Sequence, residues 1–160
     1  MFYKELRITD WDYLNNLKED VKKNIKKSFT NVTNIQGHMT FYRHYIDNKL
    51  FEKIKEMTPE YVWYDAWGSL LKKGHYIREH DHRLDSPESS NILTHSAVLY
   101  LTDIKPGTYF KKNDITIEPE VGKIIIFSAH ERHGVATYDG DRERITLAFN
   151  GRKKEEYELN

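Results

Sequence analysis

Eight histidines and no cysteine stand in a chain of 160 residues, so histidine is the first place to look for metal chemistry here. His80-Asp81-His82 is the densest group. Alternate side chains of a strand share a face, so His80 and His82 would point one way and Asp81 the other. Two imidazoles so placed can share one metal ion, although the same spacing also arises without any ligand role. The second group lies within residues 122–150. A buried-type strand, Lys123–Ser128, is followed by His130 and His133, and Asp139-Gly140 is predicted to close a hairpin. That hairpin would set His133 opposite Thr146 and Val135 opposite Arg144. In the last strand Arg144, Thr146 and Ala148 share one face, and Ile145, Leu147 and Phe149 share the packing face. An arginine opposite a packing face is either solvated or a bidentate clamp on a carboxylate, with the Thr146 hydroxyl beside it. Arg142 competes for that role; Arg144 is preferred because Thr146 follows it and Ile145 fixes the strand phase.

The elements that must position these groups are short strands behind a helical first third. Asp10 is a plausible helix cap. Leu14, Leu17, Val21 and Ile25 then mark one apolar face, and Lys18, Lys22, Lys23, Lys26 and Lys27 the opposite one. A second helix opens at Asp47, buries Leu50, Phe51, Ile54 and Met57, and ends at Thr58-Pro59. From Tyr61 the period changes. Strands are predicted over Tyr61–Trp67, His75–His82, His95–Thr102, Ile115–Glu118, Lys123–Ser128, Gly134–Tyr138 and Arg144–Asn150. Turns are expected at Pro106-Gly107, Asn113-Asp114, Val121-Gly122 and Asp139-Gly140. This spacing suggests an all-β sandwich or barrel. Arg83–Asn91, directly after the histidine pair, is a candidate lid. Trp67 and Tyr64 read as core or pocket wall. His130, three residues from His133, reads as a surface residue or one behind the ligands, with an exchange of the two as the alternative; His75 and His95 read as structural, and His38 and His44 carry no pattern.

Composition removes several classes. Without cysteine there are no disulfides, Cys-zinc fingers, iron–sulfur ligation or thiol catalysis. The longest apolar runs, such as Ala97–Leu101 and Ile124–Phe127, are far short of the ~20 residues of a membrane span. The first residues lack the apolar core of a secretion signal. Charged residues are abundant at 31%, but 25 basic and 25 acidic side chains cancel, which argues against general nucleic-acid binding. Residues 1–160 are expected to form one domain, helical over 1–59 and β over 60–151, in the cytoplasm.

In order and spacing, these motifs resemble the iron(II)- and 2-oxoglutarate-dependent oxygenases, closest to the compact prolyl-hydroxylase-like members of bacteria and phages. Gly74 precedes His80 by five intervening residues, His133 follows Phe127 as the distal histidine, and Arg144-Ile145-Thr146 matches the carboxylate clamp. Ser96–Leu101 resembles the strand whose tyrosine, here Tyr100, often touches the cosubstrate. Asn34-Ile35-Gln36-Gly37 resembles an N-terminal feature of the compact members. The likeness covers roughly residues 31–151.

The resemblance implies a mainly β double-stranded β-helix (a cupin-like jelly roll) with two N-terminal helices packed on one sheet. It implies iron(II) held by His80 and His133, with the third ligand at His82, where the family usually carries a carboxylate. A bulge turning Asp81 inward is the alternative, and water or a distant carboxylate the remaining one. Three neutral imidazoles would leave the ion more positive than two histidines and a carboxylate. Arg144, Thr146 and Tyr100 would hold 2-oxoglutarate. The reaction would couple decarboxylation of 2-oxoglutarate, with O2, to oxidation of a C–H bond in a small-molecule or peptide substrate. No catalytic side chain beyond the metal centre is required. Two other readings stay open: a three-histidine cupin-like metal enzyme that does not use 2-oxoglutarate, and a non-catalytic jelly-roll binding module. Oligomeric state leaves no readable pattern.

Overall fold

A computed structural model describes residues 2–25, 34–82 and 93–159. The chain runs β1 (Tyr3–Arg7), α1 (Trp11–Asn24), β2 (Ile35–Gln36), β3 (His38–Met39), a 3-10 turn (Lys49–Phe51) leading into α2 (Glu52–Met57), then β4 (Tyr61–Leu71) and β5 (Tyr76–His80). It continues through β6 (His95–Tyr100), β7 (Tyr109–Phe110), β8 (Ile115–Thr116), β9 (Lys123–Ser128), β10 (His133–Val135) and β11 (Arg144–Lys153) to a closing 3-10 turn at Glu156–Glu158. Two antiparallel sheets result, ordered β1-β9-β6-β11-β4-β3 and β2-β5-β10-β7-β8. Successive strands alternate between the sheets along much of the chain, as in a double-stranded β-helix.

The six-stranded sheet is buried on both faces, and β9 shows why its sequence is continuously apolar. Ile124 and Ile126 join the core beneath the helices, while Ile125 and Phe127 turn toward the second sheet and pack with Phe110 and Tyr100. In β11, Ile145, Leu147 and Phe149 face the helices. Helix α1 starts where expected: the Asp10 side chain accepts from Tyr13 N at 3.1 Å. Leu14, Leu17 and Val21 are fully buried against that sheet, each contributing about 1.5–3 kcal/mol of hydrophobic stabilisation. Gly68 of β4 lets the helix approach, since an added Cβ there would sit 2.5 Å from Val21 Cγ1. Gly74, at φ +89°, makes the turn that carries the chain from β4 in one sheet to β5 in the other.

Several expectations need correction. The first third is not purely helical. β1 pairs along the whole of Tyr3–Arg7 with β9, and β2 and β3 join opposite sheets. β1 hides from pattern reading because it is an edge strand of charged residues held by its backbone. The second helix opens one residue later, on the Asn48 cap, and its first turn is 3-10. The proposed hairpin of His133 with Thr146 does not form. β10 pairs with β5 and β7, β11 with β4 and β6. The Asp139-Gly140 turn lies in a crossover between sheets rather than in a tight hairpin. Lys26, Lys27 and Arg83–Asn91 lie outside the described residues.

Candidate active site

The pairing of β5 with β10 places His133 directly across from His80. The register shifts between this pair and Val135–Ile77, so β5 carries one extra residue. His82 lies beyond the end of β5, not on it as the period-2 reading assumed, and is fixed by its backbone N–H donating to Ala129 O at 2.9 Å. The three rings nevertheless converge, with centroids 4.5 Å (His80–His133), 4.8 Å (His80–His82) and 5.1 Å (His82–His133) apart. One nitrogen from each lies within 4.8 Å of the others. Metal–imidazole bonds of roughly 2.0–2.1 Å put three ligand atoms on one ion about 3.0–3.6 Å apart, so the rings must draw together to close on it.

The outer ring nitrogens are already engaged. His80 Nδ1 faces Arg78 O at 2.6 Å and His133 Nδ1 faces Glu131 O at 2.9 Å. Carbonyl oxygens only accept, so a proton on Nδ1 suits both rings, which makes Nε2 the nitrogen suited to ligation. Burial, and then the neighbouring His82 and His80, push the His133 imidazole well below its ordinary pKa. It is therefore neutral at pH 7, the form that ligates. Phe127 packs on its ring at 4.7 Å.

Asp81 is placed elsewhere. Its carboxylate lies 3.5 Å from Arg132 Nη1, and it is not in the histidine group. Arg132 also bonds Glu79 at 3.0 Å, so the outer side of the histidine strand is an ion-pair network. His130 and Arg142 are exposed. His75 accepts from Lys72 N, and His95 packs against Tyr61.

Across the cavity, β11 presents the other half of the site. Arg144 is 1% exposed. Its Nε donates to Pro106 O at 2.7 Å, while Nη1 and Nη2 are buried without a hydrogen-bond partner among the described residues. Burial lowers its pKa to about 10, partly opposed by Tyr100 and Tyr138, so it remains cationic at neutral pH. A buried charge with two idle donors is costly unless an anion completes it. The Thr146 hydroxyl lies 2.7 Å from that of Ser69. Tyr100 is buried behind this wall: its hydroxyl donates to Thr108 Oγ1 at 2.7 Å and accepts from Thr108 N at 3.0 Å. Thr108, not Tyr100, lines the cavity.

Arg144, Thr146, Ser69 and all three histidines line one cavity. Ile35, Ile77, Val98, Val135 and Trp67 make most of its apolar wall. The four buried side-chain polar atoms that lack a partner among the described residues belong to Arg144, Trp67 and Ser96, and all three line this cavity. A three-nitrogen group suited to a divalent transition metal thus shares a pocket with an unsatisfied guanidinium, and iron(II) with a dicarboxylate fits both. Sequence reading passed over Ser69, Ser96 and Asn150. Asn150 was legible in principle, since it is in phase with Arg144 and Thr146 on β11.

Comparison with known proteins agrees with this arrangement. Residues 65–150 match the family model described as "Putative 2OG-Fe(II) oxygenase". No curated protein is a recognisable sequence relative of the chain. Among solved structures, the viral collagen prolyl hydroxylase of Paramecium Bursaria Chlorella virus-1, as its 2OG complex, superposes with a TM-score of 0.74 at 16% identity, covering 96% of this chain and 97% of that one. A prolyl-4-hydroxylase of Pseudomonas putida gives 0.64 at 15% identity, covering 96% and 94%. HygX of Streptomyces hygroscopicus, with nickel and 2-oxoglutarate bound, gives 0.69 at 10% identity, covering 96% and 83%.

Proposed function

The chain belongs to the 2OG-Fe(II) oxygenase family, and from that premise we propose that it is a hydroxylase whose iron(II) is held by His80, His82 and His133. The observation that carries the reading is the single cavity shared by the three-histidine group and the buried, unsatisfied Arg144 guanidinium. Iron(II) and 2-oxoglutarate are the family's cofactors; together with O2 they supply oxidation of an unactivated C–H bond, with succinate and carbon dioxide as coproducts.

The chain's own residues do the rest. His80 and His133 would ligate through Nε2, because backbone carbonyls face Nδ1 of each ring. Arg144 anchors the far carboxylate of 2-oxoglutarate through its two idle Nη groups. Its Nε bond to Pro106 O sets the plane of the guanidinium, which makes that contact directional. Thr146 and Ser69, bonded to one another, offer a hydroxyl beside it. Tyr100 acts at one remove, by holding Thr108 at the cavity wall. The apolar wall excludes water from the reacting atoms.

The substrate is a small molecule or a peptide under this proposal. The prolyl hydroxylases among the structural neighbours favour a peptide, and HygX, solved with hygromycin B, favours a small molecule. No helix among the described residues is long and apolar enough to cross a membrane. The proposal also includes a single domain over residues 1–160 and a cytoplasmic setting. Both helices and the six-stranded sheet share one core, which supports the first of these.

Anaerobic titration with iron(II) and 2-oxoglutarate tests the reading. A visible charge-transfer band should appear only with both present. Iron binding that is indifferent to 2-oxoglutarate would replace the proposal with a cupin-like metal enzyme, and no metal binding at all would leave a binding module.

A further inference from the structure

Once Arg144 and the histidines have their roles, two side-chain groups of the cavity are left over. They are the Trp67 indole N–H and the Ser96 hydroxyl, both buried without a hydrogen-bond partner among the described residues. A hydroxyl rotates and can donate or accept, whereas an indole N–H only donates and points where its ring points. The Trp67 ring is held in place, since it packs against the apolar cluster that includes Ile35, Met39, Leu71 and Val135. The chain's other two indoles are placed differently: Trp63 Nε1 donates to Thr58 Oγ1 at 3.0 Å, and Trp11 is 61% exposed. A buried N–H without a partner costs stability, and a phenylalanine would fill a purely packing role without that cost.

Strand register gives Trp67 its place in the cavity. Across β4 and β11, Leu71 stands beside Arg144, Ser69 beside Thr146, and Trp67 beside Ala148. Residues on one face of a strand are spaced about 6.6 Å apart. Trp67 therefore stands one row beyond the Ser69 and Thr146 hydroxyls, on the side away from Arg144. Its ring centroid is 6.4 Å from that of His82. In the same row β11 and β6 present Ala148 and Val98, neither of which has a side-chain acceptor. A molecule held by the guanidinium at one end and by the histidine group at the other must pass this indole. We propose that Trp67 is a cosubstrate-binding residue whose Nε1–H donates to the carboxylate next to the keto group of 2-oxoglutarate. This rests on the reading of the cavity as a 2-oxoglutarate site. In that reading Arg144, with the Thr146 and Ser69 hydroxyls, takes the far carboxylate, and the keto group belongs at the metal end. The near carboxylate is then the acceptor that remains for a fixed donor beside His82.

The test uses the full chain loaded with zinc(II), which has no redox chemistry, and labelled with 15N at its indoles. The three indole N–H signals are told apart by Trp11→Phe and by the contact of Trp63 with Phe149. Addition of 2-oxoglutarate should move the Trp67 signal downfield, as a new bond to a carboxylate does, and leave that of Trp11 in place. At saturation 2-oxopentanoate, which keeps the keto acid and lacks the far carboxylate, should move the Trp67 signal in the same direction. By calorimetry, Trp67→Phe should weaken 2-oxoglutarate binding about 10–100-fold, as expected for a lost hydrogen bond to a charged group. A Trp67 signal that does not respond to bound 2-oxoglutarate overturns the proposal, as does parental affinity in Trp67→Phe. A response to 2-oxoglutarate but not to bound 2-oxopentanoate overturns the assignment to the near carboxylate. If Trp67→Phe fails to fold, the signal of the parent still decides. If the zinc-loaded parent binds no 2-oxoglutarate at all, the reading of the site falls and the proposal with it, an outcome distinct from bound 2-oxoglutarate that leaves Trp67 untouched.

Discussion

Arg144 and His133 line the same cavity from different sheets, Arg144 at the start of β11 and His133 at the start of β10. The guanidinium and the histidine group therefore rest on separate strand pairings, β11 with β4 and β10 with β5. Metal binding and carboxylate binding should be separable. Arg144→Ala is expected to retain cobalt(II) affinity while 2-oxoglutarate affinity falls about 100-fold, the equivalent of ~2.7 kcal/mol for a lost bidentate charged contact. Arg144→Lys should recover only part of this, because an ammonium lacks the planar fork. Calorimetry with each ligand in turn checks it, and equal loss of both would count against the separation.

His133 has His80 as its register partner and is buried against Phe127. His133→Ala should lower cobalt(II) affinity by more than about 100-fold, beyond the usual effect of residues that merely orient a ligand. His130→Ala, three positions away and exposed, should leave it unchanged. A comparable loss in both variants would reassign the distal ligand.

Gly68 sits where Val21 of α1 meets β4, and a Cβ would lie 2.5 and 2.7 Å from the two Val21 methyl carbons. Val21 is fully buried and its β-branched side chain has little freedom to withdraw. Gly68→Ala should destabilise the protein by about 1–3 kcal/mol. Val21→Ala in the same chain should return part of that loss, which a double-mutant cycle in urea would read as a favourable coupling.

Arg152 donates to both carboxylate oxygens of Glu158 at 2.7 and 2.8 Å, and Glu155 N adds a third bond at 3.0 Å. Arg152 first, and then that backbone N–H, hold the Glu158 carboxyl at about 2, down from 4.5. A depressed carboxyl pKa gives stability that is complete above the unfolded value and is lost as pH falls through the folded one. The pair is partly solvated, so its contribution is small. The difference in melting temperature between the parent and Glu158→Gln should close as pH falls from about 5 to about 2. An NMR titration of the Glu158 side chain should have its midpoint near 2, moving back toward 4.5 in Arg152→Gln. A parental midpoint near 4.5 would contradict the pairing.

The sequence by itself determined what is local. The Asp10 cap, the Leu14–Leu17–Val21 stripe, the limits of Lys123–Ser128 and the two faces of β11 follow from 3.6- and 2-residue periods, and all stand in the structure. The ordered histidines and Arg144-Ile145-Thr146 were legible because a metal and a carboxylate demand particular side chains whatever the fold. Tertiary structure decided the rest. Only the crossover of residues 136–143 between sheets sets His133 against His80 instead of Thr146, because strand pairing is non-local and a turn signal does not say which sheet the chain enters next. Only folding buries Arg144 with two donors idle, engages the Tyr100 hydroxyl with Thr108, and turns Asp81 out to Arg132. Only there does the side chain of Asn150, in phase with Arg144 and Thr146 on β11, come to rest beside His82, 68 residues away in sequence.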